Sequence, residues 1–197
     1  AALALLAGMG QGTAAANPAV ETLGTFQDWS AFAFTERGQR VCFIQSKPTS
    51  TLPKGARRGP INMLVTHRPG ENATDVVSIL MGYPLRGGSE VEVEVDGQRF
   101  KLFIDKETAW APDAKSDAAL SGAFAKGAKA TVKGVSTRGT ETTDVYSLSG
   151  YSAAHSAIGK MVGLKPEEIA ASREARSADA KRNAGLQFAQ ELVVGRE

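Results

Sequence analysis

The sequence predicts a mainly β protein, either a β-sandwich or a partly closed antiparallel barrel of about seven or eight strands with two short helices. Three observations support this fold class. One segment has the alternation and the turn of a tight hairpin, several short segments rich in β-branched and aromatic residues lie between turn residues, and two segments before residue 164 have a helical pattern.

The clearest hairpin lies at residues 91–102. Asp96 and Gly97 are residues that tolerate the positive φ angles of a two-residue turn. The expected cross-strand pairs are Glu94 with Arg99, Glu92 with Lys101, Val93 with Phe100 and Val91 with Leu102. Opposite charges would then pair on the solvent side while the apolar pairs face the core.

The remaining strand-like segments follow the same logic of short apolar runs bounded by turns. They are two segments within 26–44 around a turn at 36–39, then 61–66, 76–81, and a second hairpin formed by 130–136 and 142–148 around 137–140. Residues 48–60 contain three prolines and two glycines, which predicts a solvated loop.

Two helices are predicted within this domain. The first covers residues 118–126, with Ser116 or Asp117 as its N-cap and Gly127 at its end. The second begins at Ser152, and its apolar face consists of Ala154, Ile158 and Val162.

The two ends of the chain differ from this domain. Residues 1–16 resemble the end of a truncated secretory signal peptide, with cleavage expected before Asn17. We therefore expect a β domain at 17–163 and a charged, alanine-rich, helical or disordered tail at 164–197. The stretch 172–183 lacks large apolar residues, so 186–194 is the part of the tail suited to docking.

Composition excludes some classes of protein. Hydrophobic residues make up 42% of the chain and charged residues 22%, and the formal net charge of +2 is too small to indicate a nucleic-acid partner. No apolar run reaches the ~18 residues of a membrane-spanning helix, which leaves peripheral membrane association as the open alternative.

Cys42 is the single cysteine, and it lies within an apolar, strand-like run. A single cysteine cannot form an internal disulfide bond. Buried packing as a small hydrophobic residue is the favoured interpretation, and a reactive thiol is the alternative.

No residue pattern identifies a catalytic, metal or cofactor site. His67 and His155 lie in different elements without a cysteine or carboxylate at ligand spacing, so each is interpreted as a surface or half-buried residue. A nucleophile elbow, a Walker loop and a dinucleotide fingerprint are all absent from the sequence. We therefore expect that the protein holds no cofactor and is not an enzyme.

Two surface features leave alternatives open. Asp105, Glu107 and Asp113 surround Trp110 in a predicted loop, which could bind a cation or a sugar, although a tryptophan folded back into the protein is favoured. The loop residues Lys54, Arg57 and Arg58 could contact an anionic surface, although a solvated loop is the simpler interpretation.

Several strings resemble the invasion associated locus B family. They are FQDWS at 26–30, VCF at 41–43, GYPL at 82–85 with GSE at 88–90, AW at 109–110, KG at 133–134 and STRGTETTDVYSL at 136–148. The resemblance covers about residues 23–162 and implies an exported, mainly β protein of the periplasm or outer envelope, some relatives being linked to entry into host cells. It implies no catalytic residues. Physically, the run around Arg138 predicts a hairpin turn.

The chain departs from the family pattern in two places. Family members often have a cysteine near the end of the last helix that could pair with the equivalent of Cys42, whereas residues 158–163 here contain none. The tail after Leu164 is also longer than the resemblance implies.

Three functions are consistent with these observations. The first is an envelope protein that binds an envelope or host-surface protein, in host association or envelope maintenance. The second is an accessory subunit of a membrane-bound assembly that docks through 186–194. The third is a glycan-binding or hydrolytic domain that uses the Trp110 loop. The candidate contact residues are Trp110, Asp113, Arg138, Leu186, Phe188 and Leu192.

Overall fold

A computed structural model describes residues 19–163. These residues form eleven β-strands and two α-helices. The strands are β1 (Glu21–Phe26), β2 (Trp29–Glu36), β3 (Gln39–Ser46), β4 (Ser50–Leu52), β5 (Asn62–Arg68), β6 (Ala73–Leu80), β7 (Val91–Val95), β8 (Gln98–Asp105), β9 (Thr108–Trp110), β10 (Lys129–Val135) and β11 (Glu141–Ser147). The helices are α1 (Ala114–Lys126) and α2 (Tyr151–Met161).

The strands form one antiparallel sheet that is not closed, in the order β1-β2-β3-β5-β6-β9-β8-β7-β10-β11-β4. The predicted fold class is therefore confirmed. The strand count is higher than expected because three further strands form, β1 and β4 at the edges of the sheet and β9 near its centre. With three residues each, β4 and β9 are too short to show an alternating pattern.

The β7–β8 hairpin has the predicted register. Glu94 pairs with Arg99 and Val93 with Phe100, and the other two expected pairs also form. Asp96 and Gly97 have φ angles of 47° and 82°, as a turn of this kind requires. Turn chemistry and alternation act over a few residues, which is why the sequence alone determines this element.

The main core lies between the two halves of the sheet. We call β1, β2, β3, β5, β6 and β9 the first half, and β8, β7, β10, β11 and β4 the second half. Side chains of both halves and of both helices share one apolar cluster. Trp29 of β2 also donates from Nε1 to the carbonyl oxygen of Ser147 of β11 at 3.0 Å, which ties the two halves together.

The first half has a second apolar face. Phe34, Val41, Phe43 and Leu64 form one cluster there, and Val76 and Trp110 belong to another. These residues alternate with the core residues along their strands, so they point away from the main core. We call this surface the outer face.

Helix α1 begins four residues before the predicted start. Its N-cap is Asp113, whose Oδ1 accepts a hydrogen bond from the Ser116 backbone N–H at 2.7 Å. The prediction that Ser116 or Asp117 caps this helix is wrong. Asp117 is buried and its Oδ1 accepts instead from the Val77 N–H of β6 at 2.9 Å, so its carboxylate attaches the helix to the sheet.

Helix α2 has the predicted apolar face, with Ala154 and Ile158 buried in the main core and Val162 partly buried against it. Within residues 19–163, neither helix has the length and apolar composition needed to cross a membrane.

Candidate functional site

Several groups of polar side chains are buried in the described domain, and two of them join segments that are far apart in the sequence. The first, which we call the histidine cluster, consists of His67 on β5, Asp75 on β6 and His155 on α2. Their nitrogen and oxygen ligand atoms lie within 4.8 Å of one another. Sequence spacing gave no sign of this cluster, because the sheet and α2 bring together residues that are far apart in the sequence.

Strand pairing accounts for part of this cluster. His67 points into the core, where it is fully buried, so its interpretation as a surface or half-buried residue is wrong. The β5–β6 pairing is irregular between Thr66 and Arg68. Asp75, close to this irregularity, has a φ of 55°, a conformation that is uncommon for a residue with a side chain. A β-bulge redirects side chains in this way.

The hydrogen bonds define what the histidine cluster can do. The Asp75 backbone N–H donates to Nδ1 of His67 at 3.0 Å, so the neutral His67 ring carries its proton on Nε2. Neither nitrogen can then ligate a metal without the loss of this bond. Asp75 Oδ1 lies 2.6 Å from Nε2 of His155, whose ring stacks on Tyr151. The geometry thus favours a hydrogen-bonded attachment of α2 to the sheet over a three-ligand metal site.

The second group lies beneath the loop that precedes β5. Arg58 donates from Nη1 to Oδ1 and from Nη2 to Oδ2 of Asp144, both at 2.6 Å, and its Nε and Nη2 donate to the Met81 carbonyl oxygen. Its guanidinium carbon lies 4.9 Å from the centre of the Tyr83 ring. The prediction of a solvated loop holds for Lys54 and Arg57, which are exposed, and is wrong for Arg58.

Two tyrosines border this ion pair. The Tyr83 hydroxyl lies 2.6 Å from Oγ1 of Thr142, and burial raises the pKa of Tyr83. Tyr146 is fully buried, and burial together with the Asp144 charge raises its pKa well above the ordinary value. The Tyr146 hydroxyl has no hydrogen-bond partner in the described domain.

The strings that carry the family resemblance meet at this second group. Leu85 bridges to Ser136, the Arg86 N–H donates to the Val135 carbonyl oxygen, and the Thr137 N–H donates to the Pro84 carbonyl oxygen, both at 2.9 Å. The loops 84–90 and 137–140 therefore lie side by side. We call them the paired loops.

Arg138 lies at the tip of the β10–β11 turn and is exposed, as is Arg86. The Arg86 guanidinium lies so close to Gly139 that a Cβ there would be 2.7 Å from its Nη2. The predicted hairpin around Arg138 is confirmed, and its role in contacting a partner stays a prediction.

The first string, FQDWS at 26–30, forms another contact between distant segments. In addition to the Trp29 bond to Ser147, the Asp28 N–H donates to the Ser149 carbonyl oxygen at 3.3 Å. Gly150 lies against the Phe26 carbonyl oxygen, where a Cβ would overlap. This string thus joins β2 of the first half of the sheet to the end of β11 in the second half.

The predicted Trp110 loop is a strand. Trp110 lies in β9 and is 5% exposed, which agrees with a tryptophan folded back into the protein and leaves no open ring face for a sugar. Asp113 caps α1, Asp105 is the exposed last residue of β8, and Glu107 lies exposed in the β8–β9 turn. These residues are close together in the chain, but the fold places each of them in a different setting.

Cys42 is buried in the main core with a free thiol, and burial raises its pKa. Its expected buried packing is confirmed. The predicted contact residues Leu186, Phe188 and Leu192, together with the rest of 164–197, lie outside the described residues.

Comparison with known proteins agrees with the resemblance. The family described as Invasion associated locus B (IalB) protein matches residues 29–159. No curated protein matches the chain in sequence. The crystal structure of invasion associated protein B from Bartonella henselae is similar, with a TM-score of 0.53 and 17% identity, over 72% of this chain and 96% of that one. At this identity the likeness concerns the fold. Because the family match spans most of the described domain, the chain belongs to the invasion associated locus B family.

Proposed function

We propose that this protein is exported to the periplasm or outer envelope and acts there by binding another protein, in host association or envelope maintenance, without catalysis of its own. Family membership supports the proposal, as does the description of the similar Bartonella henselae structure as an invasion associated protein. The signal-like residues 1–16 agree with export.

One structural observation points to the contact surface. Backbone hydrogen bonds join the paired loops, which carry the exposed Arg86 and Arg138. The 84–90 loop follows Tyr83 directly, and the Tyr83 ring lies against Arg58 of the buried Arg58–Asp144 ion pair. Binding residues are concentrated on loops positioned by a rigid scaffold, and arginine is enriched among the residues that dominate interfaces. The paired loops are therefore the surface we propose for the partner, an acidic region of an envelope or host-surface protein.

Export is tested on the protein in its own cells. Fractionation followed by N-terminal sequencing should recover the protein in the periplasmic or outer-membrane fraction with Asn17 as its first residue. Recovery of an unprocessed chain from the cytoplasm would contradict the proposal.

Binding is tested with immobilised residues 17–197 and extracts of envelopes and of host-cell surfaces. The doubly substituted Arg86→Ser/Arg138→Ser protein removes both exposed charges, while Lys115→Ser/Lys126→Ser removes two exposed cations on α1. A protein retained by the wild type and by the control variant, and lost from the paired-loop variant, supports the proposal. Equal retention by all three proteins would place the contact on another surface.

A further inference from the structure

The outer face of the first half of the sheet is buried, although neither helix covers it. The apolar side chains of this face are Phe34, Val41 and Phe43 at 2% exposure, Leu64 at 1%, Trp110 at 5% and Val76 at 6%. A sheet face with this composition is stable in water only when another layer lies on it. The question is which part of the molecule forms that layer.

Both helices lie on the opposite side of the sheet. The buried apolar residues of α1 and α2, among them Leu120 and Ile158, belong to the main core. Helix α2 contacts β1, β2, β3 and β5 from the core side, where His155 reaches Asp75. Between residues 19 and 163, therefore, neither α-helix accounts for the burial of Phe34 or Trp110.

The burial is deeper than strand neighbours alone provide. Phe43 stacks on Phe32, its cross-strand neighbour, at 5.1 Å and meets Phe34 edge-on at 6.1 Å, and Val20, just before β1, packs against the same cluster. The ring contacts of Phe43 are thus with side chains that stand beside it on the same face of the sheet. All residues of β5 and β6 are buried, those that point outward included. A strand buried on both faces lies between two layers.

We propose that the layer over the outer face is residues 186–194 of the same chain. This segment contains Leu186, Phe188, Leu192, Val193 and Val194, a concentration of large apolar residues that matches an apolar face. Burial of such side chains is favourable and offsets the loss of conformational freedom of a short segment.

The connection is long enough. The described domain ends at Gly163, just after α2, which already lies against the first half of the sheet. Residues 164–185 span roughly 30 Å even if they are fully helical, whereas layers packed on a sheet lie only about 10 Å from it. The stretch 172–183, which lacks large apolar residues, is suited to the solvated connection around the sheet edge.

A tail bound in this way has a function that differs from partner docking. The tail shields an apolar face that would otherwise favour aggregation. It also makes the outer face inaccessible to any other protein while the tail is bound.

The test uses two tryptophans on opposite sides of the first half of the sheet. Trp29 is fully buried in the main core, and Trp110 lies on the outer face. In the wild type, residues 17–197, both are protected from acrylamide quenching. The substitutions Leu186→Ser/Phe188→Ser/Leu192→Ser should raise quenching several-fold for about half of the emission and should create binding of a hydrophobic dye. The matched control is Ala171→Ser/Ala175→Ser/Ala180→Ser, which should leave both signals unchanged.

A second measurement does not depend on the stability of the variant. Benzoylphenylalanine replaces Phe188 and, as a control, Ala175. Irradiation should link position 188 to peptides from β2, β3, β5 or β9 of the same chain. The proposal is overturned by links between chains, which would indicate a second copy on the face, or by the absence of links to these strands together with unchanged quenching in the triple variant. Strong quenching of Trp110 in the wild-type protein of residues 17–197 would also overturn the proposal. That result would indicate that residues 1–16, which this protein lacks, form the layer over the outer face.

Discussion

Arg58 and Asp144 form a two-pronged ion pair in which the side chains are 6% and 0% exposed. The pair joins a proline-rich loop to β11, over 86 residues of sequence. Both charged groups are shielded from solvent, and the charge of each is compensated mainly by that of the other. One of the paired loops that we propose as the contact surface begins directly after Tyr83, whose ring centre lies 4.9 Å from the guanidinium carbon of Arg58.

Breaking this ion pair from one side should strongly destabilise the protein. Either Arg58→Met or Asp144→Leu leaves an uncompensated buried charge and should lower the free energy of unfolding by about 3–5 kcal/mol, as measured by urea denaturation. The double variant should lose less than the sum of the two single losses. Arg57→Met, at an exposed neighbour, should stay within about 0.5 kcal/mol of the wild type. Additive losses would show that the two charges are not coupled.

Two buried tyrosines should respond differently to loss of the hydroxyl group. Tyr83→Phe removes the partner of Thr142 and should lower the free energy of unfolding by about 1 kcal/mol. Tyr146→Phe removes a hydroxyl that has no protein partner and should be neutral or slightly stabilising. Equal losses in the two variants would mean that the Tyr146 hydroxyl has a stabilising contact, for example with a buried water molecule.

Stability should fall in alkaline solution. Burial raises the pKa of Tyr146 above the value of about 10 that it has in the unfolded chain. The unfolded chain therefore releases this proton first, so the stabilisation is fully present below pH ~10 and is lost as the pH rises toward the folded-state pKa. Above pH 10, Tyr146→Phe should become more stable than the wild type by up to about 1.4 kcal/mol per pH unit. Urea denaturation at several values between pH 8 and pH 11 measures this difference, and parallel curves would contradict it.

Two glycines with similar φ angles separate backbone strain from steric overlap. Gly97 has a φ of 82° and open space around it, whereas Gly150 has a φ of 89° and lies against the Phe26 carbonyl oxygen. Gly97→Ala should cost about 1 kcal/mol through strain alone. Gly150→Ala should cost about 2–4 kcal/mol because the Phe26 segment must also move. Thermal unfolding compares the two variants, and a similar decrease in Tm would show that the FQDWS segment yields easily.

The sequence by itself determined the features that depend on neighbouring residues. The β7–β8 register follows from an Asp-Gly turn and from alternation, and the buried environment of Cys42 follows from its apolar run. The family strings also identified the fold class correctly. The turn, the apolar run and each family string are patterns within a short stretch of chain, so their interpretation did not require knowledge of long-range contacts.

Only the tertiary structure decided which distant side chains meet. Residue types near Arg58 predict a solvated loop, and nothing in that loop identifies Asp144 as its partner. The histidine cluster likewise depends on an irregular strand pair and on the position of α2. Trp110 lies in a strand instead of the predicted loop because β9 pairs with both β6 and β8. Asp117 could cap a helix by its residue type, but β6 offers its carboxylate a buried backbone N–H instead. Buried polar groups take their partners from whatever the fold brings close, and that choice is made by packing across the whole domain.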